Sequence, residues 1–550
     1  MKYAATMRNQ GAACQSSSGM TNSTNKPSAM SQKPNLLLIN ANVVTMDPSF
    51  PLAEWVALSG GTIRALGQGA DHEEFMSRHT EIIDCLGRTV LPGLIDSHLH
   101  LRAFAESCVS LDLSPGAGIK SIADIQSVIK SQCTREPAGT WIRGRGYREF
   151  HLFEKRHPTR RDLDAVSPHH PVKLTHGSGH AHVLNGLGLS LVGVTKETGD
   201  PPGGLMDRDV STGEPTGLLY EMGEFLSERI PPLDHLELLR GLKIANHRLL
   251  SLGITSVHDA SPLNDLERWK EIRSWKEKGL LGPRINFMLG CKGFEQVAAA
   301  GSEELPGTLS QNQLRIRGVK VILDETTGQL RPSQAELNEM VLEIHRSGFQ
   351  AAVHAIEENA VESACIAISN ALDGNPRRDH RHRIEHCSVC SLAVIRRLAS
   401  LGIVVVTQPS FVFHHGDRYL ETVPVQQLKH LYPIGSLLKA GIPAAAGSDC
   451  PIVPPNPMTG IYSAVSRNSE AGRTVGEGEK ISLLEALQMY TVHAARASFE
   501  ENLKGSIAPG KLADLVVFNR DPRVAPPDQI KDIEAQMTIL DGEVLWERQG

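Results

Sequence analysis

What this chain lacks narrows its class before any motif is read. No apolar run reaches the roughly 18 residues that a bilayer-spanning helix needs, and the amino-terminal stretch has no short apolar core, so no secretory signal is expected. Charge of either sign is not in excess: the formal net charge is -6 over 550 residues, which makes neither nucleic acid nor a membrane surface an expected partner. Paired cysteines are missing too. Nine cysteines stand singly, apart from Cys387 and Cys390, and no second C-x-x-C answers that pair. An odd, scattered set fits a reduced, cytoplasmic protein rather than a disulfide framework or a zinc ribbon. No serine-nucleophile elbow, HExxH helix or phosphate-gripping glycine loop competes for the chemistry.

What is present divides into segments. Residues 1–34 are rich in Ser, Asn, Thr and Met and hold no acidic residue, so a disordered tail is expected there. From Asn35 to about residue 89 the chain reads as short strands, with Gly-Gly and Asp-Pro turns between them. Residues 500–550 read the same way, and Asp541-Gly542 signals a hairpin. One small β-sandwich domain built from both ends is therefore expected, with the long middle, 90–499, inserted into it.

That middle alternates apolar strands with amphipathic helices, the pattern of a parallel α/β fold. Eight strand candidates occur: TVLPGLIDSHLH, GITSVHDA, PRINFML, GVKVILDE, FQAAVHAI, HRIEHC, GIVVVTQP and IPAAAGSD. Eight strands with intervening helices spell a (β/α)8 TIM barrel, whose active site lies at the carboxyl ends of its strands. About 140 residues separate the first two candidates, far beyond an ordinary βα loop. Residues 102–245 are accordingly expected to form a lid subdomain on the active-site side.

The first strand carries the strongest chemical signal. In VLPGLIDSHLHL an apolar run ends in His98 and His100, and alternation along a strand sends both side chains the same way. Two converging imidazoles make half of a transition-metal site. The ends of the other candidates add Lys320 on the fourth strand, His354 on the fifth, His386 on the sixth and Asp449 on the eighth. Four neutral imidazoles and a carboxylate suit zinc or a similar divalent ion. Lysine fits only if carbon dioxide converts it to an anionic carbamate. Each residue also has an ordinary reading: a satisfied core histidine, a buried Lys320–Asp324 pair, or Asp449 as a helix N-cap before Pro451.

With those motifs in view, the chain resembles the amidohydrolase superfamily, and within it amidohydrolase family 3, the branch of N-substituted formamide deformylase-like enzymes. LPGLIDSHLH, GITSVHDA, GVKVILD, AAVHAI, RIEHC, VVVTQPSF, GSDCPI and the closing GSIAPGKLADLVVFNRDP carry the likeness, which runs from about Leu36 to Leu545. The resemblance implies a two-metal site, with one ion on His98, His100 and Asp449 and the other on His354 and His386. An N6-carboxylated Lys320 and a hydroxide are implied between the ions. Zinc is the expected metal, with manganese, iron or cobalt as alternatives. Asp449 is implied as the general acid and base, and His180, within the insertion, as a ligand of the substrate carbonyl.

The chain departs from that branch in two places. After Lys320 the family commonly continues to Asp-Gly, whereas here Asp324 is followed by Glu325. After His354 it commonly has Ile-Gly-Asp, whereas here Ile356 is followed by Glu357 and Glu358. The ligands survive both changes, but the acyl-group pocket is not fixed by the likeness. Gln408 is a candidate substrate contact or strand cap. His176, His180 and His182 raise a third metal site as an alternative, His414 and His415 read as a solvated loop, and Arg143, Arg145 and Arg148 either bind an acidic substrate group or form a charged lid face.

The expected activity is hydrolysis of a non-peptide C–N bond in a small amide, N-formyl, N-acyl or cyclic amide compound. A deaminase or an esterase on the same scaffold is the enzymatic alternative, and a barrel that only binds is the non-catalytic one. The expected partner is the small substrate, with a homodimer left open.

Overall fold

The computed structural model describes residues 34–300, 313–324 and 330–549. The tail expected at 1–34, Pro34 excepted, and Glu325 lie outside the described residues.

Eight strands form one parallel sheet in chain order: β1 (Leu94–Leu99), β2 (Ile254–Asp259), β3 (Arg284–Gly290), β4 (Leu314–Ile322), β5 (Gln350–Ala355), β6 (Arg383–His386), β7 (Val404–Thr407) and β8 (Ala444–Ala446). Each pairs in parallel with the next. These strands read as near-continuous apolar runs because helices cover the outer face and packed side chains fill the interior, so neither face meets water. The ring closes between its last and first strands. Asp449 N–H donates to the His98 carbonyl at 2.7 Å, and His100 N–H to the Cys450 carbonyl at 2.8 Å. Gly447 permits that approach, since a Cβ there would lie 2.6 Å from the backbone nitrogen of His98. Closing the barrel and bringing Asp449 to the two histidines are thus one event.

The crossover helices carry ordinary start and stop chemistry. Gln334–Arg346 begins with a capping box, in which Ser333 and Glu336 each bond the other's backbone N–H, satisfying two otherwise orphaned donors. Ile434–Lys439 ends two residues before Gly441, whose φ of +76° provides the left-handed turn that stops a helix.

Segments from both termini interleave beside the barrel. A six-stranded sheet carries Asn42–Val44 and Thr89–Pro92 next to Leu515–Phe518, Ala535–Leu540 and Glu543–Glu547. A four-stranded sheet is formed by Leu36–Ile39, Trp55–Ser59, Thr62–Gly67 and Glu81–Asp84. One apolar cluster draws on both sheets, including Leu38, Val56, Val90, Leu515 and Ile539. The Asp541-Gly542 turn has φ of +58° and +77°, the conformation of a two-residue hairpin. Arg284, at the start of β3, ties this region to the barrel. Its Nε donates to Asp514 at 2.6 Å and its Nη2 to Asp541 at 2.9 Å.

Between β1 and β2 the chain builds a second six-stranded sheet, in the order Leu205–Arg208, Pro215–Tyr220, Ala181–Leu184, Val172–His176, Ile142–Tyr147 and Leu111–Asp112. Separate apolar clusters, one around Ile125, Ile142 and Leu174 and another around Leu189, Leu219 and Leu226, give it cores of its own.

Candidate metal centre

The carboxyl ends of the barrel strands gather the sequence-derived ligand candidates. His98, His100 and Asp449 each offer a ligand atom within 4.8 Å of the others. Asp449 Oδ1 lies 3.0 Å from His100 Nε2 and 3.4 Å from His98 Nε2. Lys320 Nζ is 3.4 Å from His98 Nε2. The His386 ring is centred 4.9 Å from that of His98 and 4.4 Å from that of His354. All five barrel strands that supply these groups end on the same side, and Asp449 and His386 have φ of +58° and +75°. Non-glycine residues rarely hold such angles, which occur where surrounding structure imposes a function-related direction on a side chain.

Three of the imidazoles are anchored through Nδ1, leaving Nε2 free to face the centre. His98 Nδ1 contacts Glu385 Oε2 directly, His386 Nδ1 donates to Gln408 Oε1 at 2.9 Å, and His100 Nδ1 lies 3.4 Å from Ser261 Oγ, whose hydroxyl is itself held by Asp259. This is how metal-binding imidazoles are oriented: the partner on one nitrogen fixes the tautomer and presents the other's lone pair. The electrostatics agree. Burial, then the nearby Lys320, pushes His98 well below the usual histidine pKa, and burial with His386 and Lys320 does the same for His354. His386 is brought down to about 4, burial being the largest cause. All three are neutral donors at pH 7. Burial drives Asp449 up, but the contact with His100 and the proximity of the His98 and His386 imidazoles outweigh it and hold the carboxyl well below its ordinary range. Burial lowers Lys320 to about 8, so a usable fraction of its amine is unprotonated near neutrality.

A divalent cation fits the first set of donors. Asp449 Oδ1 is buried, faces two imidazole Nε2 atoms and has no hydrogen-bond partner, an arrangement that costs free energy unless a cation satisfies it. The second set has two imidazoles and no carboxylate of its own. An ammonium on Lys320 would repel a cation there, whereas a carbamate would supply the missing anionic oxygen.

Sequence reasoning missed the pair that organises this centre from beneath. Arg383 and Glu385 are fully buried on β6, joined by short contacts, and Arg383 Nη2 donates to the Ser97 carbonyl at 2.8 Å. Charged residues two apart in a buried strand point inward together, so the R-x-E-H spacing was the available signal. Asp96 is a second omission. It accepts from Ser448 N–H at 3.0 Å and from His98 N–H at 3.1 Å, bracing the first strand against the loop that carries Asp449.

A cavity of about 300 Å³ opens above the centre. His354, His386 and Asp449 form part of its wall, and the insertion contributes Arg148 and His180. His180 reaches it from the turn between Val172–His176 and Ala181–Leu184, with Nδ1 2.9 Å from Glu221 Oε1. Gln408 is fully buried and serves His386; it is not among the residues lining the cavity. His176 pairs with Glu149 at 2.7 Å and His182 lies 3.3 Å from Thr175 Oγ1, so no third metal group forms among the described residues. Asp449 caps no helix: the next one starts at Pro457 and is capped by Asn456.

One expectation is corrected. His414 and His415 lie on a helix, Ser410–Thr422, and both line the cavity, with His415 buried. Phe411, Val412, His415 and Tyr419 fall on one helical face, which turns the pair inward instead of into solvent.

A parallel eight-stranded barrel with imidazoles and a carboxylate converging at its carboxyl mouth defines a metal-dependent hydrolase class. A family model described as "Amidohydrolase family" matches residues 81–546, and the chain belongs to that family. It is an enzyme, a hydrolase acting on carbon–nitrogen bonds. The chain is 29% identical to an N-substituted formamide deformylase of Arthrobacter pascens, over 95% of this chain and 100% of the relative. A metal-dependent hydrolase of Pyrococcus furiosus superposes with a TM-score of 0.68 at 26% identity, covering 88% of this chain and 99% of its own. One from Pyrococcus horikoshii OT3 gives 0.71 at 24% identity, over 90% and 99%, and that likeness concerns the fold. Among the described residues no helix is long and apolar enough to cross a membrane.

Proposed function

We propose that this protein hydrolyses a non-peptide C–N bond of a small amide, N-formyl, N-acyl or cyclic amide compound. The observation that carries the reading is the orphaned Asp449 Oδ1 facing two anchored imidazoles. His98, His100 and Asp449 would hold one divalent ion, and His354, His386 and an N6-carboxylated Lys320 a second, zinc being the metal these donors suit best. When bound, such ions polarise a carbonyl and bring the pKa of water down toward about 7.

Asp449 is ionised at neutral pH and stands beside the centre, so it can take the proton of the attacking water and return it to the departing nitrogen. His180, held by Glu221, is positioned in the same cavity to donate to the substrate oxygen as negative charge develops there. Glu385 and Gln408 keep His98 and His386 in the required tautomers. Lys320, lowered to about 8, has the neutral amine that adds to carbon dioxide, forming an N–C bond and releasing one proton.

We read residues 35–89 and 500–550 as one composite β-sandwich domain and 90–499 as the catalytic barrel, with 102–245 as its lid. The testing experiment measures metal content and turnover together, across a panel of N-formyl, N-acyl and cyclic amides. About two equivalents of metal, with activity lost on chelation and restored by zinc or manganese, is expected. Metal-free protein that hydrolyses none of the panel after loading overturns the reading.

A further inference from the structure

The cavity above the ligand cluster is lined by two cations that the hydrolytic chemistry does not use. Arg148 comes from the insertion and Arg418 from the helix Ser410–Thr422 after β7. Arg148 is committed through one nitrogen, Nη2 donating to the Ile452 carbonyl at 3.1 Å. Arg418 forms no ion pair among the described residues; its guanidinium lies 5.5 Å from the Tyr419 ring centroid, and its Nε is buried without a hydrogen-bond partner. His414 and His415 beside it each bury an Nε2 with no partner, and His415 is 94% buried. Three carboxylates near this wall are engaged elsewhere, while Glu357, at the start of the helix after β5, and Asp449 also line the cavity. Glu149 binds His176 at 2.7 Å, while Asp417 and Glu421 face Arg473 at 3.7 and 3.4 Å.

Unsatisfied buried donors and uncompensated guanidinium groups are costly unless a ligand completes them. Arginine is the side chain best matched to a planar carboxylate, which it can grip with two parallel N–H bonds. Phe411, Val423 and Leu431 line the same space, so the anion arrives on an apolar body. Two arginines acting on one cavity also oppose each other: burial, then the neighbouring Arg418, brings Arg148 down to about 10, and a bound anion relieves that repulsion while both stay charged.

We infer that this wall, built by Arg148 and Arg418 with His414 and His415, binds a carboxylate carried by the substrate, which makes the substrate an acidic amide with an apolar arm. That the ligand is a substrate rests on the hydrolase reading; that the wall takes an organic anion rests on the donors themselves.

The test compares matched ligands on the metal-loaded enzyme by titration calorimetry: 3-phenylpropionate against 3-phenylpropan-1-ol, which has the same apolar body and no charge. The acid is expected to bind about tenfold or more tightly, a charge-assisted hydrogen bond's worth. In Arg418→Gln that preference should fall to about threefold or less, and Arg418→Lys should recover part of it. Because Arg148 packs against Gly177, the Arg418 variants carry the test, each checked for an unchanged melting profile. Equal binding of acid and alcohol overturns the inference. So does a preference that survives Arg418→Gln, since the acid would then be sitting on the metal. If no amide turns over yet the Arg418-dependent preference is intact, the hydrolase reading fails and the anion wall stands. Among amides that do turn over, a carboxylate-bearing member should exceed its neutral isostere in kcat/KM, with the ratio reduced in Arg418→Gln.

Discussion

His98 Nδ1 and Glu385 Oε2 are in direct hydrogen-bond contact, both fully buried, and the same carboxylate meets the Arg383 guanidinium. Glu385 thus does two things at once. It fixes the tautomer that turns His98 Nε2 toward Asp449, and it neutralises an arginine that the barrel interior could not otherwise hold. Glu385→Gln keeps the shape and removes the charge. Metal affinity should weaken by about 10–100-fold, as for other partners that orient a ligand, measured by competition with a chromophoric chelator. An unchanged dissociation constant would mean that the contact does not orient the ligand.

Asp449 combines two roles that a single substitution can separate. Asp449→Asn preserves an oxygen near His98 and His100 but cannot accept a proton, so turnover should fall by about 100-fold or more, the scale of lost acid–base catalysis. Some metal should stay bound through the histidines. Metal analysis and kcat on the same sample decide the matter, and near-normal kcat would remove Asp449 from proton transfer.

Much of the barrel was legible because parallel strands buried on both faces are written as apolar runs, and because five of the eight runs end at or just before a residue that chemistry can use. His98 and His100 were readable from alternation alone. The placement of His386 was not, since it depends on the positive φ at which β6 ends. Glu385 was hidden behind its neighbour: attention to possible ligands passes over a carboxylate whose job is to hold one. Arg148 and Arg418 could not be brought together from sequence, being 270 positions apart on an inserted sheet and a barrel helix. The contents of the insertion were opaque for a related reason. Its first four strands pair in chain order but the last two are exchanged, and only long-range hydrogen bonds reveal the sheet.

A buried ion-pair cluster ties the barrel to the terminal sheets. Arg284 is 1% exposed and is held by Asp514, itself 3% exposed, and by Asp541. Asp514→Ala removes the carboxylate that accepts from two nitrogens of this buried guanidinium, a change that typically costs about 3–5 kcal/mol. The unfolding midpoint in urea should fall accordingly, at fixed metal concentration, since bound metal adds its own stabilisation. A variant with an unaltered midpoint would show that the barrel and the terminal sheets do not depend on this tie.

The pH profile should report on the lid. The hydrogen bond to Glu221 is the largest influence on His180 and, with that carboxylate's charge and those of Asp449 and Asp324, raises its pKa against the opposing effect of burial. A raised pKa means that the imidazolium is favoured in the folded protein: it is fully present below the ordinary value of about 6.5 and is lost as pH climbs through the higher folded value. If His180 donates to the substrate oxygen as a cation, kcat/KM should decline along that alkaline limb. Glu221→Gln keeps an acceptor but discards the charge, so the limb should move to lower pH while the position of the acid limb stays put. A profile whose alkaline limb does not shift would assign that decline to another group and leave His180 as a neutral contact on the cavity wall.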